Sequence, residues 1–173
     1  IILPMGEVNL SRKIKSLLII FRTNTNVEIW DQNRKRVFEK PKIEYVLRSL
    51  YSLIKSIKKL KSENKDIEIK LKIVDDNSSE ENLKKLKNLL ILSSLDFEII
   101  SHMFNDHKNY IKEQKSLETF ANLSSLLKSF EIGKTEGKDL VFFVEDDYLH
   151  FESAIEEIDR KSTRLNSSHL LIS

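Results

Sequence analysis

Ile67-Glu68-Ile69-Lys70-Leu71-Lys72-Ile73-Val74-Asp75-Asp76-Asn77-Ser78-Ser79-Glu80-Glu81 is the stretch that decides the fold. It is apolar at Ile67, Ile69, Leu71, Ile73 and Val74, which reads as a strand delivering two adjacent carboxylates to its carboxyl end. Ser78 and Glu81 then have capping-box spacing and open a helix whose buried face is Leu83, Leu86, Leu89 and Leu90. Strand, acidic turn and helix in that order make half of a βαβ unit.

The same alternation continues on both sides. Residues 15–21 (KSLLIIF) form an apolar run suited to a strand covered on both faces, and Arg22-Thr23-Asn24-Thr25-Asn26 follows as a polar turn. Residues 27–41 carry mixed charge and read as a loop or short insertion ending at Pro41. From 42 to 61 the apolar residues Ile43, Val46, Leu47, Leu50, Leu53, Ile54, Ile57 and Leu60 fall at helical spacing, with Pro41 at the first turn. Residues 97–100 (FEII) read as a short strand, and 102–115 show no assignable pattern. A helix is expected over 117–132, with Phe120, Leu123, Leu126, Leu127 and Phe130 as its apolar positions and a stop near Gly133. Residues 140–144 (LVFFV) are the most hydrophobic strand and close on Glu145-Asp146-Asp147; residues 151–158 begin another helix.

Strands alternating with helices, without repeat or domain linker, predict an α/β fold with a doubly wound, mainly parallel sheet. Ligands of such sheets bind outside the carboxyl ends of the strands. Arg22-Thr23-Asn24, Asp75-Asp76 and Glu145-Asp146-Asp147 all lie at such ends and are expected to meet at one rim.

Composition narrows the function. The chain has 173 residues, enough for one domain, and 29 basic against 27 acidic side chains leave a formal charge of +2. Without a basic arm, nucleic acid is not an expected partner. The absence of cysteine excludes disulfides and thiolate metal sites and fits a reducing, cytoplasmic compartment. No apolar run is long enough to span a bilayer, and no secretory signal is visible.

The tail Asp159-Arg160-Lys161-Ser162-Thr163-Arg164-Leu165-Asn166-Ser167-Ser168-His169 reads as the translation of a widely used sequencing adaptor. Leu170-Leu171 would be its index and Ile172-Ser173 the adaptor bases after it. Residues 159–173 are therefore expected to be non-native, residues 1–14 to be a segment at a fragment end, and 15–158 to be a partial domain.

Each acidic cluster has a bland and a functional reading. Asp76 or Ser78 suits the cap of the following helix, while a carboxylate there also suits a base N–H or a ribose hydroxyl. Glu145-Asp146-Asp147 is either a solvated turn or a set of hard oxygen ligands for Mg²⁺ or Mn²⁺, ions that complete their shells with water and phosphate. Arg22 is a surface cation or a nucleotide contact. His102, His107 and His150 lack metal-ligand spacing, and His150 is expected at the surface. Residues 134–138 (KTEGK) resemble a phosphate loop only superficially, because the glycine spacing is wrong. Tyr148, Phe151 and Trp30 are expected to pack rather than stack on a ligand.

With these motifs in place the chain resembles the GT-A nucleotide-sugar glycosyltransferases, in particular the large inverting family of polysaccharide and glycan synthases. Ile73-Val74-Asp75-Asp76-Asn77-Ser78 is similar to the family's V-D-D-x-S motif, and Phe143-Val144-Glu145-Asp146-Asp147 to its D-x-D region. Leu18-Ile19-Ile20-Phe21-Arg22-Thr23-Asn24 stands where the family has an opening strand and a P-x-Y-N-like turn; Asn24 matches, whereas Phe21 and Arg22 depart. The resemblance covers residues 15–158, the nucleotide-binding half. It implies a nucleotide-diphosphate sugar donor bound by Arg22, Thr23, Asn24, Asp75, Asp76, Glu145 and Asp146. Asp76 would lie near the uracil or ribose, Glu145 or Asp146 would face the ribose, and Asp147 would hold Mg²⁺ or Mn²⁺.

The acceptor, whether glycan, lipid or protein, is not specified. Both it and the catalytic base are expected downstream of the D-x-D region, with any membrane association through regions outside this segment, so the fragment is expected to be inactive as a transferase. The competing reading from another class is a response-regulator receiver, whose opening strand and acidic pair Val74-Asp75-Asp76-Asn77 resemble. A nucleotidyltransferase is a third, disfavoured because no glycine-rich basic loop follows the first strand.

Overall fold

The computed structural model describes residues 14–26, 40–103, 107, 109, 111 and 117–158. The expectations for Trp30, for most of 27–41 and for the tail from 159 lie outside these residues. Within them the elements are β1 (Ser16–Thr23), α1 (Lys42–Glu63), β2 (Glu68–Asp76), α2 (Glu80–Ser93), β3 (Phe97–His102), α3 (Leu117–Glu136) and β4 (Leu140–Glu145). A helical turn follows over residues 154–158.

All four strands are parallel and lie in the order β3-β2-β1-β4. Chain order therefore runs outward from β1 to β3 and then returns to the other side of β1. That reversal is the topological switch of a doubly wound sheet and opens a crevice between the carboxyl ends of β1 and β4. The α/β fold with a parallel sheet expected from the sequence is thus the one observed.

Side-chain alternation along each strand divides the core in two. Leu17, Ile19, Phe21, Ile69, Leu71, Ile73 and Val144 pack with α1 and α2, through residues such as Val46, Leu50, Leu53, Leu86 and Leu90. Leu18, Ile20 and Val74 pack on the opposite face with Ile132 of α3, beside Ile100, Val141 and Phe143. β1, central and buried on both faces, needs its unbroken apolar run for this reason. No helix among the described residues is long and apolar enough to cross a membrane.

Three local expectations change. The N-cap of α2 is Ser79, whose hydroxyl accepts from the Asn82 amide at 3.3 Å, because left-handed Asn77 (φ 61°) lengthens the turn by a residue. Ser78 is used instead to accept from the Thr25 amide at 3.0 Å. α3 does not stop at Gly133 but runs on to Glu136. A Cβ on Gly133 would lie 2.8 Å from Phe143 Cζ, so the glycine lets the helix sit close on β4. The buried face of α3 is also not the expected apolar stripe: Ser124, Ser125, Ser129 and Ile132 are buried, while Phe130 is exposed. Ser125 and Ser129 donate to the carbonyls of Asn122 (3.0 Å) and Ser125 (2.9 Å), which removes the cost of burying their hydroxyls.

Candidate functional site

The strands run further than their apolar cores. β2 continues through Asp75 and Asp76, and β1 through Arg22 and Thr23. Because successive strand residues point to opposite faces, each pair of adjacent polar residues is split between the two sides of the sheet. Thr23, Asp75 and Asp146 fall on the α1/α2 side. Arg22, Asp76 and Glu145 fall on the α3 side.

On the α1/α2 side, Asp146 is 8 % exposed. Its Oδ2 accepts from the Thr23 hydroxyl at 2.8 Å and the Asn24 amide at 3.2 Å, and its Oδ1 accepts from Lys42 Nζ at 2.6 Å. Asp75, 1 % exposed, accepts from the Ser78 amide through Oδ2 at 3.1 Å, while its Oδ1 is buried without a hydrogen-bond partner. Burial pushes the Asp75 carboxyl above the ordinary aspartate value; the Ser78 hydrogen bonds oppose the shift, and the charge of Asp146 adds to it.

On the α3 side, the Arg22 guanidinium is shared between Glu145 and α3. It is paired with the Glu145 carboxylate and donates to the Asn122 carbonyl (3.0 Å) and side-chain oxygen (2.9 Å). Asp76, 5 % exposed, accepts from the Asn24 side-chain amide at 3.4 Å. Its carboxyl is raised by burial, with the Asn24 hydrogen bond opposing, Asp75 adding and Arg22 opposing.

Asn24 joins the two sides. Its backbone amide is on Asp146 and its side chain on Asp76, so carboxylates from β2 and from the turn after β4 meet across the end of β1. Arg22, Thr23, Asn24, Asp75, Asp76, Glu145 and Asp146 are thus assembled at one rim. Asp147 stands apart as an exposed residue in the turn after β4. Among the described residues no group of three or more His, Cys, Asp or Glu could hold a metal ion. Any divalent ion here would therefore take one or two carboxylates and complete its shell with phosphate and water, as Mg²⁺ does. Hard oxygen donors, an ammonium already seated on Asp146 and the orphaned oxygen of Asp75 fit such an ion.

Sequence reading missed Lys42, Asn122 and Ser125. A signal was present, because a helix that follows a parallel strand starts at the carboxyl edge, and Lys42 opens α1 directly after Pro41. Of the histidines, only His150 differs from expectation. His102 and His107 are buried, with His102 Nε2 and His107 Nδ1 at 2.8 and 3.1 Å from the Ser124 hydroxyl and His107 Nε2 at 3.0 Å from Glu131. His150 is half-buried rather than at the surface, its amide donates to Ser52 at 2.9 Å, and burial lowers its pKa. Tyr148 and Phe151, expected to pack, are exposed, Phe151 at 85 %.

Fold and rim together define a Rossmann-like, doubly wound α/β fold with a polar rim at its switch point. Compared with models of known protein families the chain matches none, and curated proteins give no match either.

Proposed function

We propose that this rim binds the nucleotide-diphosphate part of a sugar donor, and that the chain is the donor-binding region of a glycosyltransferase. The observation that carries this reading is the convergence on Asn24 of carboxylates from β2 and from the turn after β4 at the switch point. Asp76 would accept from the base or the ribose, and Arg22 and Glu145, linked to each other, would border the sugar-proximal side. Asp75 is held in the Ser78 turn and would act by shaping it. A divalent ion, Mg²⁺ or Mn²⁺, would neutralise the diphosphate leaving group, held by Asp147 with Asp146 beside it. The acceptor would be a glycan, lipid or protein hydroxyl, and a cysteine-free chain suits a cytoplasmic setting.

The receiver alternative is less compatible with the strand order. Receivers share the flavodoxin-like order 2-1-3-4-5, whereas β3-β2-β1-β4 follows the dinucleotide-binding order 3-2-1-4. Calorimetric titration with uridine and guanosine diphosphates, with and without Mn²⁺, tests the proposal. Binding strengthened by Mn²⁺ and lost in Asp76→Ala is expected. Failure of the unmodified chain to bind either nucleotide would overturn it, and labelling of an aspartate by acetyl phosphate would favour the receiver.

A further inference from the structure

One buried carboxylate at the switch point already has a cation on it. Lys42 Nζ lies 2.6 Å from Asp146 Oδ1, with both side chains largely buried. The other oxygen of Asp146 is occupied by Thr23 and Asn24, so Oδ1 is the atom left for a positive charge. The Asp75 carboxylate next to it has its own Oδ1 buried without a partner. The charge of Asp146 bears on Asp75, yet the ammonium is bonded to Asp146 alone, a deficit that a doubly charged ion would fill better.

A small divalent ion sits ~2.0–2.1 Å from a carboxylate oxygen. An ammonium at 2.6 Å from the same oxygen takes one of its lone pairs and repels a second cation at the other, so the two compete for it. Lys42 is also well placed to leave. Its head is carried on a flexible four-carbon stem at the first residue of α1, a helix start where a phosphate is favoured as its next partner.

We infer that Lys42 is a tethered cation that competes with divalent metal for Asp146, keeping the ion out until an anionic ligand draws the lysine away. Metal uptake at this rim is therefore ordered. The ion enters with, or after, the anion that takes Lys42, and the free protein does not carry it. The competition requires only Asp146 and Lys42, and holds whatever organic ligand the crevice accepts.

The test uses Mn²⁺ alone, without nucleotide, read by electron paramagnetic resonance of the free ion and by the melting temperature. The unmodified chain is expected to bind Mn²⁺ weakly. Lys42→Met is expected to bind at least tenfold more tightly and to melt higher when Mn²⁺ is added, because Asp146 has lost its counter-ion. Lys42→Arg keeps a cation in place and should behave as the unmodified chain, and combining Lys42→Met with Asp146→Asn should abolish the gain. Should Lys42→Met fold only with Mn²⁺ present, the same conclusion follows, and Lys42→Gln provides a second measurement. The inference is overturned if both neutral variants, with native circular dichroism, take up Mn²⁺ no better than the unmodified chain. It is equally overturned if the gain survives Asp146→Asn.

Discussion

Two lysines, one midway along the sheet and one at its carboxyl rim, are paired with carboxylates in opposite senses. At the middle of β2 Lys72, 3 % exposed, is the buried partner, and Glu136 of α3 and Glu98 of β3 reach it from half-exposed positions. At the carboxyl rim the carboxylate is the buried partner and one lysine reaches it. Burial would pull the Lys72 ammonium down, but hydrogen bonds and charges from Glu136 and Glu98 outweigh it and hold it above the ordinary lysine value. At the rim, five acids (Asp75, Asp76, Glu145, Asp146, Asp147) stand beside Arg22 and Lys42, and burial raises two of them. A buried charge whose partners are complete serves the fold. One whose partners are incomplete has binding capacity to spare.

The largest expected effect is on binding. Asp146→Ala should weaken nucleoside diphosphate affinity by about a hundredfold, as expected for a truncated buried charge pair. Glu136→Ala should leave that affinity unchanged, and equal losses in calorimetric titration would break the contrast. Next comes stability: Lys72→Ala removes a buried stem and its two ion pairs and should cost about 1–3 kcal/mol by denaturant midpoint.

A smaller effect separates the rim by pH. Because Asp75 is raised in the folded state, its stability contribution is full below the ordinary aspartate value and is lost as pH rises through the folded value. Asp75→Asn should therefore melt a few degrees higher than the unmodified chain at neutral pH, with the difference closing near about pH 4. A difference that does not change with pH would assign the effect to packing instead. Least of all, Lys138→Ala, which breaks the exposed pair with Glu68, should not move the melting temperature measurably.

Much of this contrast was legible in the sequence. The apolar runs at 15–21 and 140–144 and the stripes of α1 and α2 defined the alternation of elements, and hence the parallel sheet. The rim was legible as a set of residues but not as an arrangement. Reading the strands as ending at Val74 and Val144 left Asp75, Asp76 and Glu145 in turns, where neighbours share a side. The strands in fact extend through them, and a period of two parts Asp75 from Asp76. Periodicity could not find the buried face of α3, since hydrophobicity patterns score serine as exposed and glycine as a stop. Here serines satisfied within the helix, and Gly133 against Phe143, are what let α3 lie close to the sheet. Lys42 could be placed at the carboxyl edge from its position just after Pro41, but its pairing with Asp146, 104 residues away, could not be read from its own neighbourhood.

Asn24 serves one side of the sheet with its main chain and the other with its side chain. The two duties are therefore genetically separable. Replacing Asn24 with alanine erases the tie to Asp76 while the peptide amide still holds Asp146, so a single allele dissects the crevice into halves that the wild-type residue keeps in step.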